Sequence, residues 1–374
     1  MDYLVITDDR KEQEIIGRKI LEEKKNIYSK KTLDYIRTVI SQKLKNISHE
    51  LLETETFRSI YFYWAFGCTV DEYLYLGLFN KTVKQIKEYV TLHEKILYIN
   101  HLNNSDSAHF LNNKFDAYCL LKKYFKRDMI KVATQEDFKS FNRFVKKHPE
   151  FVVKPIDMGL GNGVHKASVA GLNSAQNEQF FLDLLREGKD NLSQYWYGKE
   201  SALVLEELIE QDSSFAEFHP QSVNSVRITT VKVGEKIHIY HPWFKIGRGG
   251  NFITSAAYGT FDAGIDVDTG LVTTAGFNED FEVFEVHPDT MLPIKGFQIP
   301  RWEEAKELVK EMAAKIPNIS YVGWDIALTP DGWCIMEGNY QGDFMWQLFN
   351  EKGNKKEFEE LIGWKLKEDF WWKQ

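Results

Sequence analysis

Cysteine is scarce in this chain. Cys68, Cys119 and Cys334 stand far apart in 374 residues, with no Cys-x-x-Cys pair. That excludes a disulfide framework and a cysteine zinc site, and fits a reducing compartment. Long apolar runs are missing too. No uncharged stretch approaches the about 18 residues of a membrane span. The opening Met1-Asp-Tyr-Leu-Val-Ile-Thr-Asp-Asp-Arg10 has neither the basic start nor the apolar length of a signal peptide. A cytoplasmic protein is the expectation. Positive charge is in deficit: 47 Lys and Arg against 55 Asp and Glu give a net charge of −8, which argues against nucleic-acid binding. No Ser-His-Asp pattern and no activated cysteine marks a protein nucleophile. His165, His219, His241 and His287 are scattered and read as structural.

What is present is an ordinary globular composition, 43% hydrophobic and 27% charged, long enough for two or three domains. Residues 9–60 are dense in Lys, Glu, Ile and Leu and read as helices with a charged face. Residues 57–100 are aromatic-rich and read as buried helical packing. Asn103 to Ser107 marks a boundary. Beyond it, Lys114–Tyr124 and Glu136–Lys147 are expected helices around a short apolar run, Met129–Val132. Strands are expected at Phe151–Pro155, Ala202–Ile209, Val226–Val231 and Ile237–Phe244, and an amphipathic helix at Pro300–Lys315. The order implies an α+β class, with a helical region 1–105, a mixed region 106–210, an antiparallel region 211–350 and a C-terminal amphipathic helix 351–374. That last segment, aromatic from Phe358 to Trp372, carries acids as well as lysines. Packing on the protein is therefore expected over contact with a membrane surface.

The segment Tyr321 to Asn339 has the form of an antiparallel hairpin, two apolar runs around Pro330-Asp331-Gly332. With those three residues as the loop and Gly332 in the left-handed position, Thr329 faces Trp333. Asp325 then lies opposite Glu337, and Asn339 shares the face of Glu337 because strand side chains alternate. Two carboxylates and an amide suit a hard cation such as Mg²⁺, with substrate phosphates and water completing the shell. An ordinary hairpin with charges on its wet face is the plain alternative, and context has to decide.

That context starts at strand 151–155, which runs into Gly159, Gly161 and Gly163 before a returning strand, Val164–Val169. No Gly-Lys-Ser/Thr follows, so the loop is not a Walker A motif, and no helix opens as a dinucleotide fingerprint requires. It reads as a glycine-rich hairpin tip able to cover a nucleotide, or as a plain turn. Lys154 lies inside the apolar strand, where it needs solvent or an anionic partner. Lys114, at a helix start, offers a second such charge or is an ordinary solvent lysine, and composition does not separate the two. Arg227 begins a strand, and Arg248 sits in Gly247-Arg-Gly-Gly250. Either can clamp a phosphate or carboxylate, or serve in a surface ion pair.

These pieces, in this order, resemble the ATP-grasp superfamily, most closely its sugar-transfer-associated branch found with bacterial surface-polysaccharide genes. The matching text is Val153-Lys-Pro155, Gly159-Leu-Gly-Asn-Gly163, Leu205-Glu-Glu-Leu-Ile-Glu-Gln211 and His219-Pro-Gln-Ser-Val-Asn-Ser-Val-Arg227. Gly247-Arg-Gly-Gly250, Ala263 to Gly270, His287-Pro288, and Gly323-Trp-Asp-Ile-Ala with Glu337-Gly-Asn339 complete it. The likeness runs over residues 85–350. It implies an ATP-grasp fold, with 106–210 as the small lid subdomain and 211–350 as the large one. It further implies that Lys114 and Lys154 hold ATP, that the glycine loop folds over the phosphates, and that Glu206, Glu207, Leu208 and Ile209 form the hinge receiving adenine. Asp325, Glu337 and Asn339 would hold two Mg²⁺ ions, with Mn²⁺ an acceptable substitute. Arg227 and Arg248 would stabilise the transferred phosphoryl group. After the glycines, Asn251 to Ser255 and Gly259-Thr260 depart from the branch's usual Asp-Asn and glycine pattern, which bears on acceptor identity.

The superfamily's commonest chemistry implies an ADP-forming ligase that joins a small-molecule carboxylate to an amine, one of them sugar-linked, through an acyl phosphate. Two rivals stand beside it: a kinase on the same fold, and a non-catalytic nucleotide-binding partner of a polysaccharide machine.

Overall fold

The computed structural model describes residues 1–107, 109–159, 161–194, 200–254, 259–367 and 369–373. The chain divides into two compact units, one of residues 1–102 with 343–374 and the other of residues 103–342.

The first unit is helical. It opens with α1 (Arg10–Glu23), α2 (Lys30–Lys43) and α3 (His49–Phe66), followed by the short α4 (Val70–Tyr75) and α5 (Val83–Ile86) and by α6 (Leu92–Leu102). Asp9, Ser29 and Ser48 cap the first three, their side chains accepting backbone N–H groups of the first turn. α3 is buried along most of its length and carries a polar knot. Arg58 donates to Glu55 at 2.7 Å and to Gln13 at 2.9 Å, and Tyr73 donates to the same carboxylate. The knot is satisfied internally, as buried charge requires.

The second unit runs through α7 (His109–Asn112), α8 (Lys114–Phe125), β1 (Met129–Val132), α9 (Phe138–Lys147), β2 (Glu150–Pro155), β3 (His165–Ser168), α10 (Ser174–Gln194) and β4 (Leu203–Glu207). α11 (Ser213–Ala216), β5 (Ser225–Val233), β6 (Lys236–Ile246), β7 (Phe261–Gly264), β8 (Gly276–Phe277), β9 (Val283–Phe284), α12 (Trp302–Lys315), β10 (Tyr321–Thr329) and β11 (Gly332–Asn339) follow. Two antiparallel sheets result, a smaller one in the order β1-β4-β2-β3 and a larger one in the order β11-β10-β5-β6-β7-β8-β9. A core of Phe141, Phe144, Phe151, Phe181 and Leu184 backs the small sheet. Trp302, Ala305, Val309 and Met312 of α12 join Ile228, Phe244 and Ile326 in the core of the large one. This is the expected α+β architecture.

The chain then returns to the first unit through α13 (Trp346–Phe349) and α14 (Lys355–Ile362). Helix covers less of the C-terminal segment than 351–374 suggested. Trp371 and Trp372 donate their indole N–H groups to the Tyr63 and Trp64 carbonyls of α3 at 2.8 and 3.1 Å. The aromatic tail packs on its own unit. No helix among the described residues is long and apolar enough to cross a membrane.

Candidate active site

The hairpin places the acidic residues, though by a different route from the one its turn suggested. The loop holds two residues, not three: Thr329 pairs with Gly332 and Leu328 with Trp333. A bulge between Asp325 and Ile326 then restores the count, so that Ile326 faces Ile335 while Asp325 faces Glu337. One extra residue on β11, Met336, makes the difference. Asn339 lies on the same side and its Nδ2 donates to Glu337 Oε1 at 3.3 Å.

Across the other edge of β10, Asp325 is the register partner of Arg227 on β5. The guanidinium forks onto the carboxylate, Nε to Oδ1 at 2.5 Å and Nη2 to Oδ2 at 2.7 Å, and Lys245 of β6 approaches Oδ2 at 3.4 Å. Gly323 makes room for this, since a Cβ there would press on Arg227 Cδ at 3.2 Å. Burial alone would push the Asp325 carboxyl up, but the Arg227 and Lys245 charges outweigh it and hold the group well below the usual carboxylate range. Asp325 therefore stays charged although it is only 3% exposed. Two facing carboxylates and an amide oxygen on one sheet face make a hard donor set that fits Mg²⁺ or Mn²⁺.

A second group of charges gathers on the small sheet. Asn113 caps α8 by accepting from Phe115 and Asp116 at 3.0 Å, which sets Lys114 at the helix start. The Lys114 ammonium donates to the Met158 carbonyl at the base of the glycine loop. Burial pushes Lys114 down to about 8, opposed by Glu337, with Lys154, Asp157 and Glu206 also felt. Lys114 thus feels Lys154 and Glu206 of the small sheet and Glu337 of the hairpin. Lys154 pairs with Glu206 of β4. Glu206 is 2% exposed and also accepts from Arg127. Burial would raise its carboxyl, and the Arg127 and Lys154 charges more than reverse that. Arg127 alone neutralises Glu206, so Lys154 contributes surplus positive charge. Within the glycine loop, Gly161 and Gly163 adopt φ of 75° and 69°, a conformation glycine accepts at no steric cost, and the loop joins the paired strands β2 and β3 as a hairpin tip.

At the expected hinge, β4 is paired on both sides through Glu206, with Met129 and with Val152. Glu207 is held by Asp128, whose backbone N–H donates to Glu207 Oε2 at 2.9 Å. Leu208 and Ile209 follow the strand, half-buried and beyond its ladder. Arg248 follows Lys245 by three residues; its ion pair among the described residues is with Glu282 at 3.5 Å, and it lies over the Phe284 ring at 5.1 Å. Of the segment that departs from the family pattern, residues 255–258 lie outside the described residues. Thr254 is fastened to the Val223 carbonyl at 2.8 Å.

Two contributors had little signal in the sequence. Lys245 belongs to no motif of its own and lies just ahead of Gly247-Arg-Gly-Gly250. Arg127 sits in Lys126-Arg-Asp128, which has the look of a solvated helix end. It donates to the Ile335 carbonyl at 2.6 Å, beside the hairpin bulge, as well as to Glu206. A further cluster, Asp128, His148 and Glu207, is engaged within itself: the two ring nitrogens of His148 face one carboxylate each, and Lys147 takes Asp128 at 2.6 Å.

The chain belongs to the family described as sugar-transfer associated ATP-grasp, whose model matches residues 93–361. No curated protein shows significant sequence similarity to it. Among solved structures it is similar to D-alanyl-alanine synthetase A from Vibrio cholerae, at 12% identity over 71% of this chain and 64% of that one, TM-score 0.39. It is also similar to phosphoribosylamine–glycine ligase from Thermotoga maritima, at 14% identity over 71% and 57%, TM-score 0.43. A third is the biotin carboxylase domain of 2-oxoglutarate carboxylase from Hydrogenobacter thermophilus, solved with MgADP, at 11% identity over 68% and 46%, TM-score 0.41. The chain spans less than two thirds of the length of each of these structures.

Proposed function

We propose that the chain is an ATP- and Mg²⁺-dependent carboxylate–amine ligase that releases ADP and phosphate. The observation that carries this reading is the Asp325–Glu337 pair with Asn339 on one face of the hairpin, with the cations Lys114 and Lys154 gathered on the glycine-loop side. Lys114 and Lys154 attract the phosphates, backbone N–H groups of the Gly159–Gly163 loop close over them, and the backbone at Leu208 and Ile209 receives the base. Glu206 and Glu207 hold the strand that leads to that hinge. Asp325, Glu337 and Asn339 hold the metal, which when bound screens the phosphate oxygens and spreads the charge that develops in transfer. Arg227 keeps Asp325 ionised and oriented, and Arg248 steadies the transferred phosphoryl group.

The acceptor itself supplies the nucleophile. Its carboxylate oxygen attacks the γ-phosphorus, the bond to the β-phosphate oxygen breaks, and ADP leaves. The amine nitrogen then attacks the acyl carbon, the carbon–oxygen bond to phosphate breaks, and the nitrogen gives up a proton. The family's description as sugar-transfer associated supports an acceptor that is a sugar or amino-acid building block of a surface polysaccharide. A reaction with ATP, Mg²⁺ and pooled carboxylates and amines tests the reading: ADP and free phosphate form in equal amounts together with an amide. ADP with a phosphorylated acceptor and no free phosphate would assign a kinase instead. Full biological activity after removal of the Asp325 and Glu337 charges would assign a binding module.

A further inference from the structure

Arg248 stands in a bend whose backbone is held on both sides by side chains from distant parts of the chain. Asn224 Oδ1 accepts the Gly247 N–H at 2.9 Å, His287 Nε2 donates to the Gly247 carbonyl at 2.8 Å, and Asp289 Oδ2 accepts the Gly249 N–H at 2.7 Å. The partners are themselves fixed. The backbone N–H groups of Asp289 and Thr290 point at His287 Nδ1 at 3.1 and 3.3 Å, so the ring hydrogen sits on Nε2, where it meets Gly247. The Asn224 amide nitrogen donates to the Phe215 and His219 carbonyls at 2.8 and 3.0 Å, which turns its oxygen toward Gly247. Gly247 is packed to contact, since a Cβ there would come within 2.0 Å of Ser222 Oγ and 2.8 Å of His219 Nδ1. His287 and Asn224 are fully buried.

Gly247 is buried, where an unpaired backbone group is costly, whereas Gly249 is exposed and could have turned to water. The three backbone groups, flanking one arginine, are held at normal hydrogen-bond distances. The Glu282 contact restrains only the guanidinium tip, at 3.5 Å between half-exposed groups, and such a pair contributes little. The backbone bonds instead fix where the Arg248 side chain begins. We propose that the His287-Pro288-Asp289 turn, together with Asn224, is a positioning clamp for Arg248, a role that rests on Arg248 acting at the transferred phosphoryl group. Misplacing a charge by an ångström in phosphoryl transfer costs rate while leaving the nucleotide's binding contacts in place.

Asp289 gives the cleanest test, because it is exposed and its loss removes one clamp bond without opening the core. Amide exchange of the full chain and ADP release from MgATP in the pooled carboxylate and amine mixture are followed in parallel. Asp289→Ala should speed exchange at residues 247–250 while the large sheet keeps its protection. It should also lower kcat about 10- to 100-fold with KM for ATP within about twofold. Asp289→Asn, which keeps an acceptor oxygen, should recover most of the rate. Asp289→Ala added to Arg248→Ala should lower kcat no further, since the clamp acts through that arginine. Unchanged exchange at 247–250 in Asp289→Ala overturns the clamp. Faster exchange with unchanged kcat, while Arg248→Ala lowers kcat, shows a loop tether without a positioning role and overturns the proposal. An Arg248→Ala variant with normal kcat removes the catalytic reading of Arg248, and the clamp's function with it.

Discussion

Arg227 and Asp325 face each other across β5 and β10, and the guanidinium spans both oxygens of the carboxylate at 2.5 and 2.7 Å. Both residues are buried, so the pair is not a surface ornament that solvent screens. Removing one partner of a buried pair strands the other charge, at a cost of about 3–5 kcal/mol. Arg227→Ala should therefore lower the unfolding free energy by that amount, and Arg227→Lys, which keeps the charge but loses the fork, by distinctly less. Urea unfolding of the two variants checks this, and equal losses would show that the bidentate geometry contributes nothing. The Asp325 carboxyl is depressed, so its stabilisation is present above the unfolded value of about 4 and fades as pH falls below it.

Glu337→Gln tests the proposed metal face better than Asp325→Asn does. Glu337 is half-buried and hydrogen-bonded to Asn339, whereas Asp325→Asn also leaves Arg227 without its counter-charge. Glu337→Gln should fold normally, bind Mg²⁺ more weakly and lose turnover by orders of magnitude. Titration of ATP into the wild type with and without excess chelator provides the companion measurement: binding should need the metal. Equal ATP affinity in both conditions would remove the metal assignment.

Lys154→Ala deletes the surplus cation on Glu206 while Arg127 continues to neutralise that carboxylate. The fold should survive and ATP affinity should drop about tenfold to hundredfold, the worth of a charged hydrogen bond of about 1.5–3 kcal/mol. Calorimetry decides. A variant that melts at ordinary temperature yet binds ATP as the wild type does would make Lys154 a structural residue only.

The hairpin shows how far alternation alone can carry a sequence. Its face was legible because Asp325, Glu337 and Asn339 interrupt runs of Ile, Ala, Leu and Trp. The turn was not, because Pro330-Asp331-Gly332 is compatible with a two- or a three-residue loop, and the Met336 bulge that compensates leaves no mark in composition. β5, β6 and α12 were long enough to declare their period. β8 and β9, two residues each, were not. α10 went unread because its apolar run, Phe180-Phe-Leu-Asp-Leu-Leu185, is bracketed by polar residues at both ends. Pairings such as Arg127 with Glu206 join residues 79 positions apart, and nothing local in either segment names the other.

Under the proposed function, Lys114 should tie nucleotide affinity to pH. Burial lowers its ammonium to about 8, against the pull of Glu337, Asp157 and Glu206 and with the push of Lys154. In the unfolded chain the group titrates near the ordinary lysine value of about 10.4. Between these values the unfolded state binds more protons, so this residue's contribution to stability rises as pH climbs from about 8 toward 10. Binding runs the other way. A phosphate beside Lys114 favours the charged form, so MgATP binding should take up a proton above about pH 8, and affinity should fall with a slope approaching about tenfold per pH unit. Calorimetry in two buffers of different ionisation enthalpy reads the proton uptake directly. Lys114→Arg, which stays charged throughout this range, should flatten the slope. A slope that persists unchanged in Lys114→Arg would mean that another group carries the linkage and that Lys114 does not meet the phosphates.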